Sequence, residues 1–126
     1  MYISSFYRKK SMIKRMIVIA LMLTLVLLYG CSSTITVDYE NEESFEAALN
    51  EGQDLEGKTV KFVVRQIEPQ SAFGYNIIAG EHLNFVSSRN PNVSVGDIVT
   101  VKVTEVRSLL GSWILEYKKL DVQKAK

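Results

Sequence analysis

Apolar and polar residues alternate with two different periods along this chain, and the change falls at Gly57. Before it, Phe45, Ala48 and Leu49 recur at spacings of three and four, one face of a helix. Asn41 is suited to cap that helix, Glu42 and Glu43 with Glu46 beyond them suit the positive end of its dipole, and Gly52 can end it in a left-handed conformation. So short an apolar stripe does not fold alone, and the helix should dock on the strands after it. After Gly57 the period is two. Val60, Phe62 and Val64 alternate with Thr59, Lys61 and Arg65 in a first strand over 58–67, and the parity then slips to Ile67. A second strand runs over 73–79, and a third places Leu83 and Phe85 on one face. In the fourth, 98–107, Val99, Val101 and Val103 share a face before a slip at Val106, and the fifth, 113–120, is apolar on both faces. Turns are expected at 68–71, Gly80-Glu81, 88–92, Gly96-Asp97 and Gly111.

A slip of one residue in a period-two run marks a bulge, and bulges supply the bends that let a sheet curl on itself. Five strands with a long, bulged first and fourth therefore predict a mainly β fold, a small barrel with a short leading helix. Phe62, Phe85 and Trp113 are its expected core aromatics.

The first thirty residues show a third pattern. Arg8, Lys9, Lys10, Lys14 and Arg15 appear with no acid, and Met16 to Tyr29 are apolar apart from Thr24. Fourteen such residues in a helix span about 21 Å against roughly 30 Å of bilayer hydrocarbon. That is short for a membrane span and right for the helical core of an export signal. The run closes on Leu28-Tyr29-Gly30-Cys31, and Cys31 is the only cysteine. This resembles the bacterial lipobox, in which a small residue precedes a cysteine that is acylated and becomes the mature N-terminus, with Tyr29 departing from the small residue usual there. The resemblance implies a signal peptide over 1–30, a tether over 31–41, a domain over 42–120 and a polar tail over 121–126. It also implies localisation at the cell membrane, facing the extracytoplasmic side, through the acylated Cys31. An uncleaved apolar helix, the other reading, puts the domain on the same side because its positive flank stays in the cytoplasm.

The leader distorts the charge balance. The whole chain is +1, but beyond Cys31 ten Lys and Arg stand against 14 Asp and Glu, a net of −4. A protein that binds nucleic acid through phosphates needs clustered cations, so no nucleic-acid partner is expected. With no second cysteine the domain must hold together by core packing.

The stretches Leu55-Glu56-Gly57-Lys58-Thr59-Val60 and Val95-Gly96-Asp97-Ile98-Val99-Thr100-Val101-Lys102-Val103 resemble those of the oligonucleotide/oligosaccharide-binding (OB) fold. More narrowly, residues 55–120 are similar to the tRNA_anti-like domains of uncharacterised Gram-positive cell-surface lipoproteins. The resemblance implies a five-stranded OB-like barrel. The chain departs from it in having little room for a helix between strands three and four, and a helix before strand one instead.

Candidate chemistry is sparse. His82 is the only histidine, no Cys- or His-rich spacing suggests a metal, and no Gly-x-Ser-x-Gly elbow or phosphate-cradling glycine loop is present. The expectation is a non-catalytic binding module with no cofactor. Tyr75, His82, Asn84 and Arg89 are the candidate ligand-binding residues, a polar-aromatic patch on strands two and three and the loop after them. The partner expected is an unknown protein, peptide or saccharide. The alternative is an assembly role with another envelope protein through a barrel edge or the docked helix.

Overall fold

The computed structural model of the protein describes residues 14–21 and 34–126. The chain divides into two units, the second of which is residues 35–126. In the first, residues 14–21 are helical (α1). Cys31, the lipidation candidate, lies outside the described residues. Among the described residues no helix is long and apolar enough to cross a membrane.

The second unit is mainly β. It begins with helix α2, Glu42–Asn50, capped by Asn41, whose side-chain oxygen accepts from Ser44 N–H at 2.8 Å. Six strands come after it: β1 Thr59–Val63, β2 Gln66–Ser71, β3 Gly74–Ala79, β4 Leu83–Ser87, β5 Ile98–Leu109 and β6 Ser112–Gln123. They form one sheet in the order β1-β5-β6-β4-β3-β2, antiparallel throughout except for the parallel pair β4 and β6.

Alternation alone makes residues 58–67 one strand; here they are two. The division falls at the parity slip. Val64 exchanges hydrogen bonds with Asp97 and Gly96 on the β5 side, at 2.9 and 2.8 Å, whereas Arg65 N–H turns the other way to Ile78 of β3, also at 2.9 Å. Consecutive peptide groups thus serve opposite ends of the sheet order, and the strand count becomes six. The second expected slip is a register shift between Val103 and Glu105.

Inward residues of β1, β3, β4, β5 and β6, with Val64 just after β1, meet in one core, and Ile67 of β2 packs against it half-buried. Val60, Phe62, Val64, Ile77, Leu83, Phe85, Val99, Val101, Val103 and Leu115 are all essentially inaccessible, and α2 adds Phe45, Ala48 and Leu49. Phe62 and Phe85 stack with centroids 4.0 Å apart and planes 8° from parallel. Phe45 reaches the same ring from the helix at 6.5 Å. The stripe that could not fold alone is buried here.

Both flanks are tied more closely than a tether and a tail suggest. Asp38 and Tyr39 N–H both donate to Thr59 O at 3.0 Å, and Lys61 N–H donates to Tyr39 O at 2.9 Å, so the chain lies along β1 before α2 starts. Tyr39 also packs edge-on against Phe45. At the other end β6 continues to Gln123. The buried Asp97 carboxylate accepts from Ala125 N–H at 2.9 Å and from Lys124 Nζ at 3.2 Å. One acid before β5 therefore anchors residues the sequence marks only as polar.

Candidate functional site

On β3, β4 and β6 the residues between the core positions face the other way. Asn76, Asn84 and Ile114 alternate with Ile77, Phe85 and Leu115, and the pairing sets Asn84 opposite Ile114 and Asn76 opposite Val86. Val86 and Ile114 are 5% and 6% exposed, so this outward face is covered as well.

Two tight connections border it. Between β2 and β3, Ser71 pairs with Gly74 and leaves only Ala72 and Phe73 in the turn. Ser71 Oγ closes that turn, donating to Gly74 O at 2.6 Å and accepting from Phe73 N–H at 3.2 Å. Gly74 must be glycine, because at φ 91° a Cβ would stand 2.6 Å from Ser87 O. Between β5 and β6, Leu109 pairs with Ser112 and the turn is Leu110-Gly111, with φ of 49° and 82°. Positive φ at both central positions is the turn that suits a two-residue hairpin, and such turns favour Asn-Gly or Asp-Gly. Leucine here is strained and has no apolar cover: Leu110 is 99% exposed.

Phe73, Leu109 and Leu110 stand at the rim of a groove of about 310 Å³ with Asn76, Asn84 and Ile114 also lining it. Within it the two amides have unequal fates. Asn84 Nδ2 donates to the carbonyls of His82 and Trp113, both at 3.3 Å. Its Oδ1 must then accept, and it does, from Asn76 Nδ2 at 2.9 Å. That bond fixes which way the Asn76 amide is turned and leaves Asn76 Oδ1 buried without a partner. A buried acceptor left in this state costs about 1–3 kcal/mol.

Charge along the groove is met within the protein. Arg107 lies 6.0 Å from the Phe73 ring and within 3.7 Å and 3.5 Å of Glu105 and Glu116. Past Phe73 the surface continues into a second, more polar hollow lined by Ser87, Thr104, Glu116 and Tyr117. Burial pushes the Tyr117 hydroxyl up to about 12, against an opposing pull from Ser87, and that oxygen has no hydrogen bond of ordinary geometry.

Of the four residues singled out from sequence, only Asn84 lines this groove. His82 does not line it: its backbone carbonyl accepts from Asn84 Nδ2, while its imidazole Nδ1 lies 3.5 Å from Glu46 on α2. Tyr75 has the parity of the core residues Ile77 and Ala79, so it and Asn84 face opposite sides of the sheet. Arg89 is exposed in the loop after β4, its N–H donating to Ser87 Oγ at 3.2 Å. The four do not form one patch. Asn76, Leu109 and Leu110 complete the groove, and the signal for the last two was available: a pair of leucines directly before a turn glycine. Among the described residues no three His, Cys, Asp or Glu side chains are grouped to hold a metal.

The chain matches no family model, no curated protein and no solved structure.

Proposed function

We propose that this chain is a membrane-anchored, extracytoplasmic lipoprotein whose domain is a non-catalytic binding module, and that its ligand occupies the groove between Phe73 and Leu110. The observation that carries the site is the partnerless Asn76 Oδ1 beneath two exposed apolar turns. Buried polar groups are almost always satisfied, so one left without a partner beneath a lined hollow supports an external donor reaching it when the rim opens. The anchor is Cys31, on the strength of the basic and apolar leader and the Leu28 to Cys31 box.

The fold in this reading is an OB-like barrel. Its support is the sheet order together with the Val64-Arg65 step: if β1 and β2 are halves of one bent strand, the six segments reduce to five and the two ends of the order coincide. The groove then lies on the outer wall, and α2 supplies the plug at one mouth. The net charge of −4 beyond Cys31 argues for a protein, peptide or saccharide ligand rather than nucleic acid.

One observation favours an assembly role instead. Beside α2 a cleft of about 700 Å³ exposes Val63 and Val95, at 43% and 60%, among Glu42, Glu43 and Glu81. Photocrosslinking in intact cells separates the two readings. A crosslinker at Leu110 traps the ligand if the groove is the site; trapping at Val95 and none at Leu110 refutes the groove and favours assembly through the helix.

A further inference from the structure

The groove restricts what can enter it. Its rim is apolar, and Ser71 and Asn84 spend their hydrogen-bonding groups inside the protein. Arg107 is held by Glu105, Glu116 and the face of Phe73, so no unmatched cation waits for a phosphate or carboxylate. Ser112 also lines the groove, from the strand after the turn, and the one lining polar atom that is buried without a partner is Asn76 Oδ1, on a residue 8% exposed and set opposite Val86. A sugar brings a hydroxyl at nearly every carbon, each both donor and acceptor, and most would be stranded against leucine and phenylalanine. An ionised group would lose its hydration with nothing to replace it.

The complement of that buried oxygen and the apolar wall above it is a flat apolar group with a single donor and no acceptor to be stranded beside them. Among protein side chains that describes tryptophan alone, whose indole has one N–H donor on a large apolar body. We infer that the groove holds a tryptophan side chain of a partner protein, with the indole N–H on Asn76 Oδ1 and the ring between Phe73 and the Leu109-Leu110 turn. The inference rests on the binding-groove reading above and narrows its ligand to a protein. Because Asn76 Oδ1 is closed to solvent, entry of the ring displaces a side chain of the rim. Leu110 belongs to this arrangement. A left-handed, fully exposed leucine has no role in folding the hairpin, whereas it extends the apolar wall over the ring.

Indole and 1-methylindole test this, because methylation removes the donor and keeps the ring. The full-length chain, isotope-labelled in detergent micelles, is titrated with each and followed by amide NMR. Indole is expected to shift Asn76, Phe73, Leu109 and Leu110, and 1-methylindole to bind at least tenfold more weakly. In Asn76→Leu paired with Asn84→Leu, which removes both amides so that neither is stranded, the two probes should bind equally. In Leu110→Asn, which keeps the acceptor, both should weaken while their ratio is preserved. Equal affinity of the probes for the natural chain overturns the tryptophan assignment. Shifts in the groove from a neutral oligosaccharide such as chitotriose, with none from indole, overturn it too while leaving the groove as the site. Probes that bind elsewhere and leave the groove unmoved overturn both readings.

Discussion

Glu46 holds His82 by two contacts to one carboxylate oxygen: the His82 backbone N–H donates to Oε1 at 2.5 Å, and the imidazole Nδ1 lies 3.5 Å from it. Its second oxygen accepts from Glu81 N–H at 3.1 Å. A single side chain on α2 thus serves the donors of the turn between β3 and β4, which would otherwise be poorly satisfied beside the helix. Glu46→Ala removes the acceptor from both and should cost about 1–3 kcal/mol. Glu46→Gln, which keeps one acceptor oxygen, should recover part of it. Urea denaturation of the two variants checks the order, and equal stability of Ala and natural chains would show that water replaces the carboxylate without loss.

Leu110 offers the opposite sign. Its left-handed backbone costs a non-glycine residue about 1–2 kcal/mol, and its side chain repays nothing within the domain. Leu110→Gly and Leu110→Asn should therefore raise the midpoint of thermal unfolding, Asn more than Gly, because Asn suits the first central position of this turn and glycine loses more conformational freedom on folding. Ligand capture by either variant should fall. Gain of stability with loss of binding is the mark of a residue kept for its surface.

Val101 and Lys102 are neighbours on β5 with opposite surroundings. Val101 is inaccessible and Lys102 exposed. Val101→Asp puts an unpaired charge in the core, costs several kcal/mol and should unfold so small a domain. Lys102→Asp should change stability by less than about 0.5 kcal/mol. Circular dichroism melts distinguish them directly.

Two groups set expectations at the extremes of pH. Backbone N–H donors at Ala125 and Ser94 hold Asp97 below its usual 3.8, with Lys124 adding to this against the effect of burial. A lowered folded value means the stabilisation is present above 3.8 and disappears as pH falls through the folded value, so the C-terminal strand end should loosen in acid. Tyr117 is raised, to about 12 from 10.0, chiefly by burial. Its contribution is complete below 10 and is lost as pH rises through about 12. Unfolding midpoints measured from pH 2 to 12 should fall at both ends. Asp97→Asn should flatten the acid limb and Tyr117→Phe the alkaline one.

Lipidation is tested at its residue. Cys31→Ala should abolish acyl labelling and leave an unprocessed precursor, detectable by its mobility on a gel. Acylated protein recovered from that variant would remove the anchor from the proposed function.

The elements were legible because each rests on a local pattern. Asn41, the acids after it and the Phe45, Ala48, Leu49 stripe specified α2, and alternation specified the strands with their slips. The division at Val64-Arg65 was visible only as a slip, since which neighbour each peptide group meets depends on β3 and β5, far along the chain. Thr59 and Thr100 fell on faces that alternation assigns to solvent, yet they are 7% and 5% exposed; period two reports which side a residue takes, not whether that side is covered. The same limit hid the groove. Asn84 reads from sequence as a polar strand residue, but its part in the groove is to fix the orientation of Asn76. Tyr75 stands out in sequence as an aromatic beside a glycine, and its parity with Ile77 sends it to the inner side.

The position of β6 bears on when this domain can form. The last of the described strands lies inside the sheet, between β5 and β4, and its parallel partner ends 25 residues before it begins. Until Ser112–Gln123 is available, the β2-β3-β4 meander and the β1-β5 pair have no ladder joining them across that gap. Sheet completion therefore waits for Ser112–Gln123, and these distant pairings make it slow. If the chain is exported as proposed above, that delay keeps the domain from closing ahead of its passage through a translocation channel.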